Sequence, residues 1–319
     1  MKQNKSCCSA SRAIPAGKNK THIDLVHVPV KEKHREEMVL LGGGSFLMGT
    51  DDPEANPFDQ ERPVREVEVN SFYIDKYAVS NKQFKEFIED TNYQTDAEKY
   101  GWSFVFHLLL SEETAAKVTQ APAATPWWRV VQGASWEYPE GPDSSIEERM
   151  DHPVVHVSHN DALAYCTWSG KRLLTEEEWE FAARGGLSQQ NYPWGNELYP
   201  NGEYYCNIWQ GEFPVTNTEE DGYLGTAPVH AFPPNGYGLH NMSGNVWEWC
   251  SNWFDNQKAG NSSVPGFMPE RPKAMRGGSY LCHKSYCNRY RVAARSSNTP
   301  DSSSGNIGFR CALDVTDIE

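Results

Sequence analysis

No uninterrupted apolar stretch in this 319-residue chain approaches the roughly 20 residues that a membrane-spanning helix requires, so no span is expected. An apolar h-region is missing too. Met1 to about Glu37 is polar, which places the chain in the cytoplasm unless a leader has been removed. Positive charge is in short supply: 29 Lys and Arg against 43 Asp and Glu leave a formal net charge of −14. Polyphosphate binding needs clustered cations, so a nucleic-acid partner is excluded, whereas a cationic peptide or metal ions suit the balance better. A charge of this size also serves plain solubility. No tandem repeat is present, and no linker between Met38 and Val315 marks a domain boundary. Residues 1–37 are therefore expected to be a polar, disordered tail and residues 38–319 a single domain. Cys7 and Cys8 lie in that tail with no lipobox-like run before them and are read as incidental thiols.

What the chain does contain is aromatic and irregular. Eleven Trp and 15 Tyr must fill much of the core, and 25 Gly and 20 Pro punctuate helices and strands, so a loop-rich fold is expected. Met38-Val39-Leu40-Leu41, Gly42-Gly43-Gly44 and Ser45-Phe46-Leu47-Met48-Gly49 read as strand, turn, strand. Glu66 to Val69 alternates as a half-buried strand does, and Phe72-Tyr73-Ile74 adds apolar supply. Three helices are legible: one capped by Ser80 with Gln83, one from about Ser158 carrying Leu163 and Cys166, and one capped by Thr175 with Glu178 and stopped at Gly185-Gly186. Beyond Pro193 the periodicity dissolves into Gly, Asn, Pro and Trp. The chemistry is expected there.

Cys282-His283-Lys284-Ser285-Tyr286-Cys287 sets two thiols five residues apart, directly after Gly277-Gly278-Ser279. Alone, that spacing fits a disulfide or inert thiols, half a zinc site, or redox or copper chemistry. A zinc half-site lacks a second Cys or His pair, while two thiolates suit Cu(I), which is soft and accepts low coordination. His152, His156 and His159 form another cluster. On a strand His152 and His156 would share a face and could hold iron, but a core or hydrogen-bonded role is the expected one.

The segment Arg276 to Arg291, with Ala293-Ala294-Arg295-Ser296, Asn298 to Ser303 and Asn306 to Cys311, resembles the formylglycine-generating enzymes, the sulfatase-modifying factors. The resemblance extends to Asn207–Asn217, Asn235 to Leu239, Gly244-Asn245-Val246-Trp247-Glu248-Trp249 and Met48 to Pro53, and so covers about Met38 to Asp314. It implies the sulfatase-modifying-factor fold, mixed α+β with low regular secondary structure and a C-type-lectin-like architecture. It also implies an oxidase that converts the cysteine of a Cys-x-Pro-x-Arg motif, in an unfolded sulfatase polypeptide or peptide, to formylglycine with molecular oxygen. By that resemblance Cys282 and Cys287 hold Cu(I) as a bis-thiolate to which the substrate sulfur adds. Hydrogen is then taken from the substrate Cβ, and water converts the thioaldehyde to the aldehyde with loss of sulfide. Ser279, Trp247, His283, Tyr286, Arg295 and Asn306 match positions lining the pocket. Outside the resemblance, Trp247 and Tyr286 read as core aromatics and Arg295 as a structural ion pair.

Asn207, Asp221 and Glu248 are oxygen donors among turns, as hard-cation sites require. The resemblance implies two calcium ions: one on Asn207, the Ile208 carbonyl, Asp221 and the Tyr223 carbonyl, the other on Asn241, the Gly244 and Val246 carbonyls, and Glu248. The sequon Asn241-Met242-Ser243 is then incidental, because a ligand side chain cannot carry a glycan. Cys166 and Cys311 match one structural disulfide of the family, and a second falls on Ala183 and Val292, where both halves are missing together. Cys206 and Cys250 lie outside the pattern and are expected to be buried thiols. A monomer is expected. The reading from another class is a catalytically inert, calcium-stabilised, lectin-like binding module with Cys282 and Cys287 in an ordinary disulfide.

Overall fold

The glycine turn at the start of the fold does not make a hairpin. In the computed structural model, which describes residues 10–12, 35, 37–254 and 271–318, β1 (Met38–Leu41) and β2 (Gly44–Met48) go to different sheets. β2 pairs with β3 (Arg65–Val69), and β1 pairs with β4 (Phe72–Asp75). Gly43 makes the crossing possible. Its φ is +69°, and a Cβ there would lie 2.3 Å from the Val69 carbonyl oxygen.

The three expected helices are present with their caps. α1 (Asn81–Thr91) starts at Ser80, whose hydroxyl accepts from Gln83 N–H while the Gln83 side chain accepts from Ser80 N–H. Two short helices follow, α2 (Asp96–Tyr100) and α3 (Glu112–Lys117), on either side of β5 (Trp102–Phe106). One or two turns cannot display an apolar period, so neither is legible in the sequence. β5 pairs with β6 (Trp128–Gln132). α4 (His159–Ser169) begins at the Ser158–Asp161 capping box, and after β7 (Arg172–Leu173) α5 (Glu176–Arg184) runs from Thr175 to a left-handed Gly185.

The irregular half holds β8 (Gly211–Glu212), β9 (Thr216–Asn217), β10 (Trp247–Trp253), β11 (Lys273–Arg276), β12 (Ser296–Asn298), β13 (Ile307–Gly308) and β14 (Cys311–Asp314). One sheet has the order β1-β4-β14-β7 and the other β12-β11-β10-β13. A core rich in aromatics, with Trp128, Trp209, Trp247, Trp249 and Tyr280, draws residues from both sheets and also takes in Cys282 and Cys287. Among the described residues no helix is long and apolar enough to cross a membrane.

Most of the expected tail, with Cys7 and Cys8, lies outside the described residues. Ala10 and Arg12 depart from that expectation, because both are buried against the body of the fold. Cys166 on α4 and Cys311 on β14 are buried thiols with sulfurs 3.6 Å apart. Ala183 and Val292 share one apolar cluster, as a packing replacement for a bridge would.

The histidine cluster does not lie on a strand. His156 has φ +59°, and His159 is the first residue of α4. The His156 ring is fully buried, with Nε2 2.7 Å from the Pro139 carbonyl and Nδ1 2.8 Å from Ser103 Oγ. A carbonyl only accepts, so the ring proton sits on Nε2 and Ser103 donates to Nδ1. Burial, opposed by the Pro139 bond, pushes the His156 pKa down to about 3, and burial does the same to His159. The unfolded rings titrate near 6.5, so the unfolded chain binds more protons below that pH. Stability from these rings is complete above pH 6.5 and is lost as pH falls toward 3, by on the order of 5 kcal/mol each at most. Urea midpoints should therefore fall between pH 7 and pH 4, and His156→Gln should flatten that slope. Equal slopes for parent and variant would remove His156 from the account.

Candidate active site

β11 delivers Arg276 into Gly277-Gly278-Ser279, and the chain there folds back on itself. Gly278 has φ +76°, and a Cβ would meet the Arg289 carbonyl oxygen at 2.9 Å, so only glycine lets the two limbs of the loop touch. Cys282 N–H donates to the Ser279 carbonyl at 2.8 Å, and the Cys282 carbonyl accepts from Trp209 N–H at 3.1 Å. The N–H groups of Tyr286 and Cys287 both reach the His283 carbonyl at 3.0 Å, which closes one turn between the cysteines. Cys282 is 0% and Cys287 8% exposed, and both are thiols in the aromatic core. Among the described residues no group of three or more Cys, His, Asp and Glu is placed to hold a metal ion, so the zinc reading gains no partners. A pair of soft donors in an apolar surround fits Cu(I).

Three of the expected pocket residues are brought together beside this turn. Asn306 Nδ2 donates to Ser279 Oγ at 3.0 Å, and Ser304 Oγ holds Asn306 Oδ1 at 2.7 Å. Ser279 is thus an acceptor to Asn306 and keeps its own O–H to donate. The Asn306 carbonyl accepts from Trp247 N–H at 2.9 Å, joining the first residue of β10 to the same group. The Trp247 indole N–H is buried without an acceptor, as is that of Trp209.

Tyr286 belongs to an aromatic wall. Its ring stacks on Phe213 at 4.7 Å and meets Trp127 edge-on at 5.0 Å, while Phe213 packs on Trp209 at 5.3 Å. His283 Nδ1 accepts from Ser285 N–H at 3.3 Å, which leaves the neutral ring's proton on Nε2. Burial, partly offset by Cys287, lowers the His283 pKa, so the ring is neutral at pH 7.

Arg295 is placed differently from the others. Its Nε and Nη2 grip Glu176 at 2.7 and 2.6 Å, Nη1 reaches the Asp59 carbonyl at 3.2 Å, and the guanidinium lies over Phe254. That is the geometry of a structural ion pair. Neighbouring pairs clamp the same loop: Arg289 to Asp59 at 2.5 Å and Arg291 to Glu61 at 2.8 and 3.0 Å. Reading the sequence missed Asp59, Glu61 and Glu176. Their signal was the run of arginines at 276, 289, 291 and 295, whose burial demands carboxylates from elsewhere.

The expected calcium ligands fall in two loops, except Glu248, which lies on β10. Asn207 Oδ1 and Asn241 Oδ1 are both buried without a hydrogen-bond partner, as an oxygen aimed at a cation would be. Near the first, the Ile208 carbonyl and Asp221 Oδ2 converge on one atom, Gln210 Nε2, so the two expected ligands face one point. The oxygens of Asn207, Ile208 and Asp221 are the donor type a hard cation takes, with the Gln210 amide nitrogen holding the last two in this structure. The second set fits only in part. Glu248 gives both carboxylate oxygens to Arg310 at 2.7 and 2.8 Å and takes Trp179 Nε1 at 2.7 Å, so its side chain is already neutralised. Gly244 is held where a Cβ would lie 2.3 Å from the Asn207 carbonyl oxygen, and Asn245 N–H bonds that same oxygen at 2.8 Å. Tyr280 N–H then bonds the Asn245 carbonyl at 2.9 Å, tying both loops to the cysteine turn. Cavities open beside the loops that carry Ser279 and Asn306 and farther away. One of about 200 Å³ is lined by Asn81, Arg149, Tyr280 and Gly305, and one of about 490 Å³ by Thr114, Lys117 and Val130.

Residues 26–315 match the sulfatase-modifying factor enzyme 1-like domain. The formylglycine-generating enzyme of Bos taurus is 58% identical over 280 residues, covering 87% of this chain and 75% of that protein. That of Thermomonospora curvata is 59% identical over 283 residues, covering 87% and 93%. The inactive C-alpha-formylglycine-generating enzyme 2 of Bos taurus is 50% identical over 278 residues, covering 86% and 85%. Among solved structures, PvdO from Pseudomonas aeruginosa superposes with a TM-score of 0.60 at 26% identity, over 87% of this chain and 94% of that one.

Proposed function

From the premise that the chain belongs to the sulfatase-modifying factor enzyme 1-like family, we propose that it converts a sulfatase cysteine to formylglycine, using copper on Cys282 and Cys287 and molecular oxygen. Membership alone does not separate a catalyst from an inactive relative, since both kinds are similar to this chain. The observation that carries the reading is the pair of buried thiols closed into one turn beside Ser279 and Asn306. Copper bound there would supply a soft one-electron centre for the reduction of oxygen.

The chain's own groups do the rest. The Ser279 hydroxyl and the Trp247 indole N–H orient the substrate backbone by donating to it. The wall of Trp127, Trp209, Phe213 and Tyr286 keeps bulk water from the reacting sulfur. Neutral His283 offers an N–H at the mouth of the turn. The substrate is an extended Cys-x-Pro-x-Arg peptide, because a folded sulfatase could not bring its cysteine to thiols so deeply buried. Incubation with Cu(I), oxygen and such a peptide should yield the aldehyde, read as a mass change at cysteine. An unchanged mass with copper loaded would leave a binding module instead.

Calcium belongs to the same proposal, held by Asn207, Ile208, Asp221 and Tyr223, with Asn241, Gly244 and Val246 about a second ion. An ion that binds only the folded chain stabilises it by about 2.7 kcal/mol at a hundredfold excess over Kd. Chelation should lower Tm by several degrees, and Asn207→Ala should abolish most of the response. Identical melting with calcium and with chelator would remove the ion from both loops.

A further inference from the structure

Cys8-Ser9-Ala10-Ser11-Arg12 sets a cysteine four residues before an arginine, the spacing of Cys-x-Pro-x-Arg with Ala10 in place of the proline. The second half of that pattern is docked on the fold. The Arg12 guanidinium lies 4.5 Å from the Tyr100 ring centre and 4.6 Å from that of Trp102. Nη1 donates to the Asp301 carbonyl and Nη2 to the Trp102 carbonyl, both at 2.6 Å. Arg12 N–H donates to Ser302 Oγ at 2.8 Å, the Ala10 carbonyl accepts from Asn298 Nδ2 at 3.0 Å, and Ser11 Oγ donates to Asn298 Oδ1 at 2.5 Å.

This is the way a peptide is held: main-chain groups paired along its length, with one side chain in a fitted socket. The socket suits a guanidinium in particular. Two aromatic rings supply cation–π attraction and two carbonyls take its planar donors, an arrangement that an ammonium would fill poorly. It also leads to the thiols. Residues 298–302 carry the contacts of Ala10, Ser11 and Arg12, Asn306 follows four residues on, and Asn306 bonds Ser279 three residues before Cys282. Ala10 packs in the same apolar cluster as Cys282 and Cys287.

We propose that residues 10–12 are an intramolecular, substrate-like ligand of the chain's own peptide groove, with Arg12 in the socket that takes the substrate arginine. The segment therefore competes with a peptide substrate. The proposal rests on the cysteine-oxidising reading above for the identity of the groove. A mere structural anchor would add stability without competition.

The test uses the full chain and a fluorescent peptide of residues 6–14 carrying Cys7→Ser and Cys8→Ser. If the parent's groove is occupied nine-tenths of the time by its own segment, Arg12→Ala should bind the peptide about tenfold more tightly. Its KM for a Cys-x-Pro-x-Arg substrate should fall by a similar factor with kcat unchanged, since Arg12 touches no reacting atom. Arg12→Lys, which keeps the charge but not the planar fork, should fall between. A labelled peptide whose own arginine is alanine should bind none of the three. Equal peptide affinity and equal KM in parent and both variants would overturn the proposal. Should no variant form aldehyde, the oxidase reading fails, while the peptide-binding comparison still decides whether the segment fills the groove.

Discussion

Cys282→Ser and Cys287→Ser should each lower aldehyde formation from a Cys-x-Pro-x-Arg peptide by on the order of a thousandfold or more, and the double variant should be little worse than the worse single one. Residues that act as one unit show that non-additivity, because losing either destroys the function both serve. The structure supplies the unit: two buried thiols on a single closed turn, fixed by Ser279, His283 and Trp209 main-chain bonds. A dithiol redox couple would behave the same way toward serine substitution, so the metal has to be tested separately. Stripping with a Cu(I) chelator should abolish turnover, and adding Cu(I) back should restore it. The two other thiols outside the family pattern provide the control. Burial, then Asp221, drives the Cys206 pKa far up, and burial, then Glu176, does the same to Cys250. Both stay protonated at neutral pH and make poor ligands. Cys206→Ser and Cys250→Ser should leave turnover largely intact. Full activity of the stripped protein, or parent-like Cu(I) affinity in Cys282→Ser, would remove copper from the site.

Local structure was legible wherever one side chain and one backbone group settle it. The Ser80 and Thr175 caps were readable because a capping box needs only residues three apart, and the structure adds a third box, Ser158 with Asp161, at a helix of which only the start was read. The pairing of β1 and β2 was not, because register depends on partners that arrive later in the chain: β3 and β4 claim them. The histidines failed as a strand for a related reason. Ser158 starts a helix one residue before His159, and His156 takes a left-handed turn to bury its ring. Within the site, Cys282 and Cys287 stood out by their spacing while Ser279 and Asn306 came from the resemblance, and the geometry adds how Asn306 and Ser279 hold each other. Arg295 shows what no local pattern carries. Its carboxylate partner is 119 residues away on α5, so only the folded chain reveals that it is bound to Glu176.

Glu180→Ala should cost about 3–5 kcal/mol of folding stability, the loss expected when one member of a buried ion network is removed and its partners stay charged. Glu180 is 1% exposed and answers donors from three residues at once. Its Oε1 accepts from Gly49 N–H at 2.7 Å and from Arg184 Nη2 at 2.6 Å, and its Oε2 from Arg276 Nη2 at 2.5 Å. Burial alone would raise its pKa, but Arg276, Arg184 and the Gly49 N–H outweigh that and hold it below the usual carboxylate range. Arg276 has a second carboxylate, Glu176, at 3.4 Å, but that group is already taken bidentately by Arg295. Without Glu180, two buried guanidiniums would share what remains, and neither can shed its proton. Glu180→Gln keeps an acceptor and loses the charge, so it should fall between alanine and the parent. By contrast, Glu113→Ala removes only the exposed pair with Lys117 and should have no measurable effect. Denaturant midpoints with unchanged m-values read the difference. The same variant should reach the chemistry, because Arg276 is the residue that enters Gly277-Gly278-Ser279 and its other bond, at 3.0 Å, fixes the Val292 carbonyl on the returning limb. In the molecules that remain folded, kcat should fall together with Cu(I) affinity. A stable Glu180→Ala protein with parent-like copper binding would show that the cysteine turn holds its shape without the ion network beneath it.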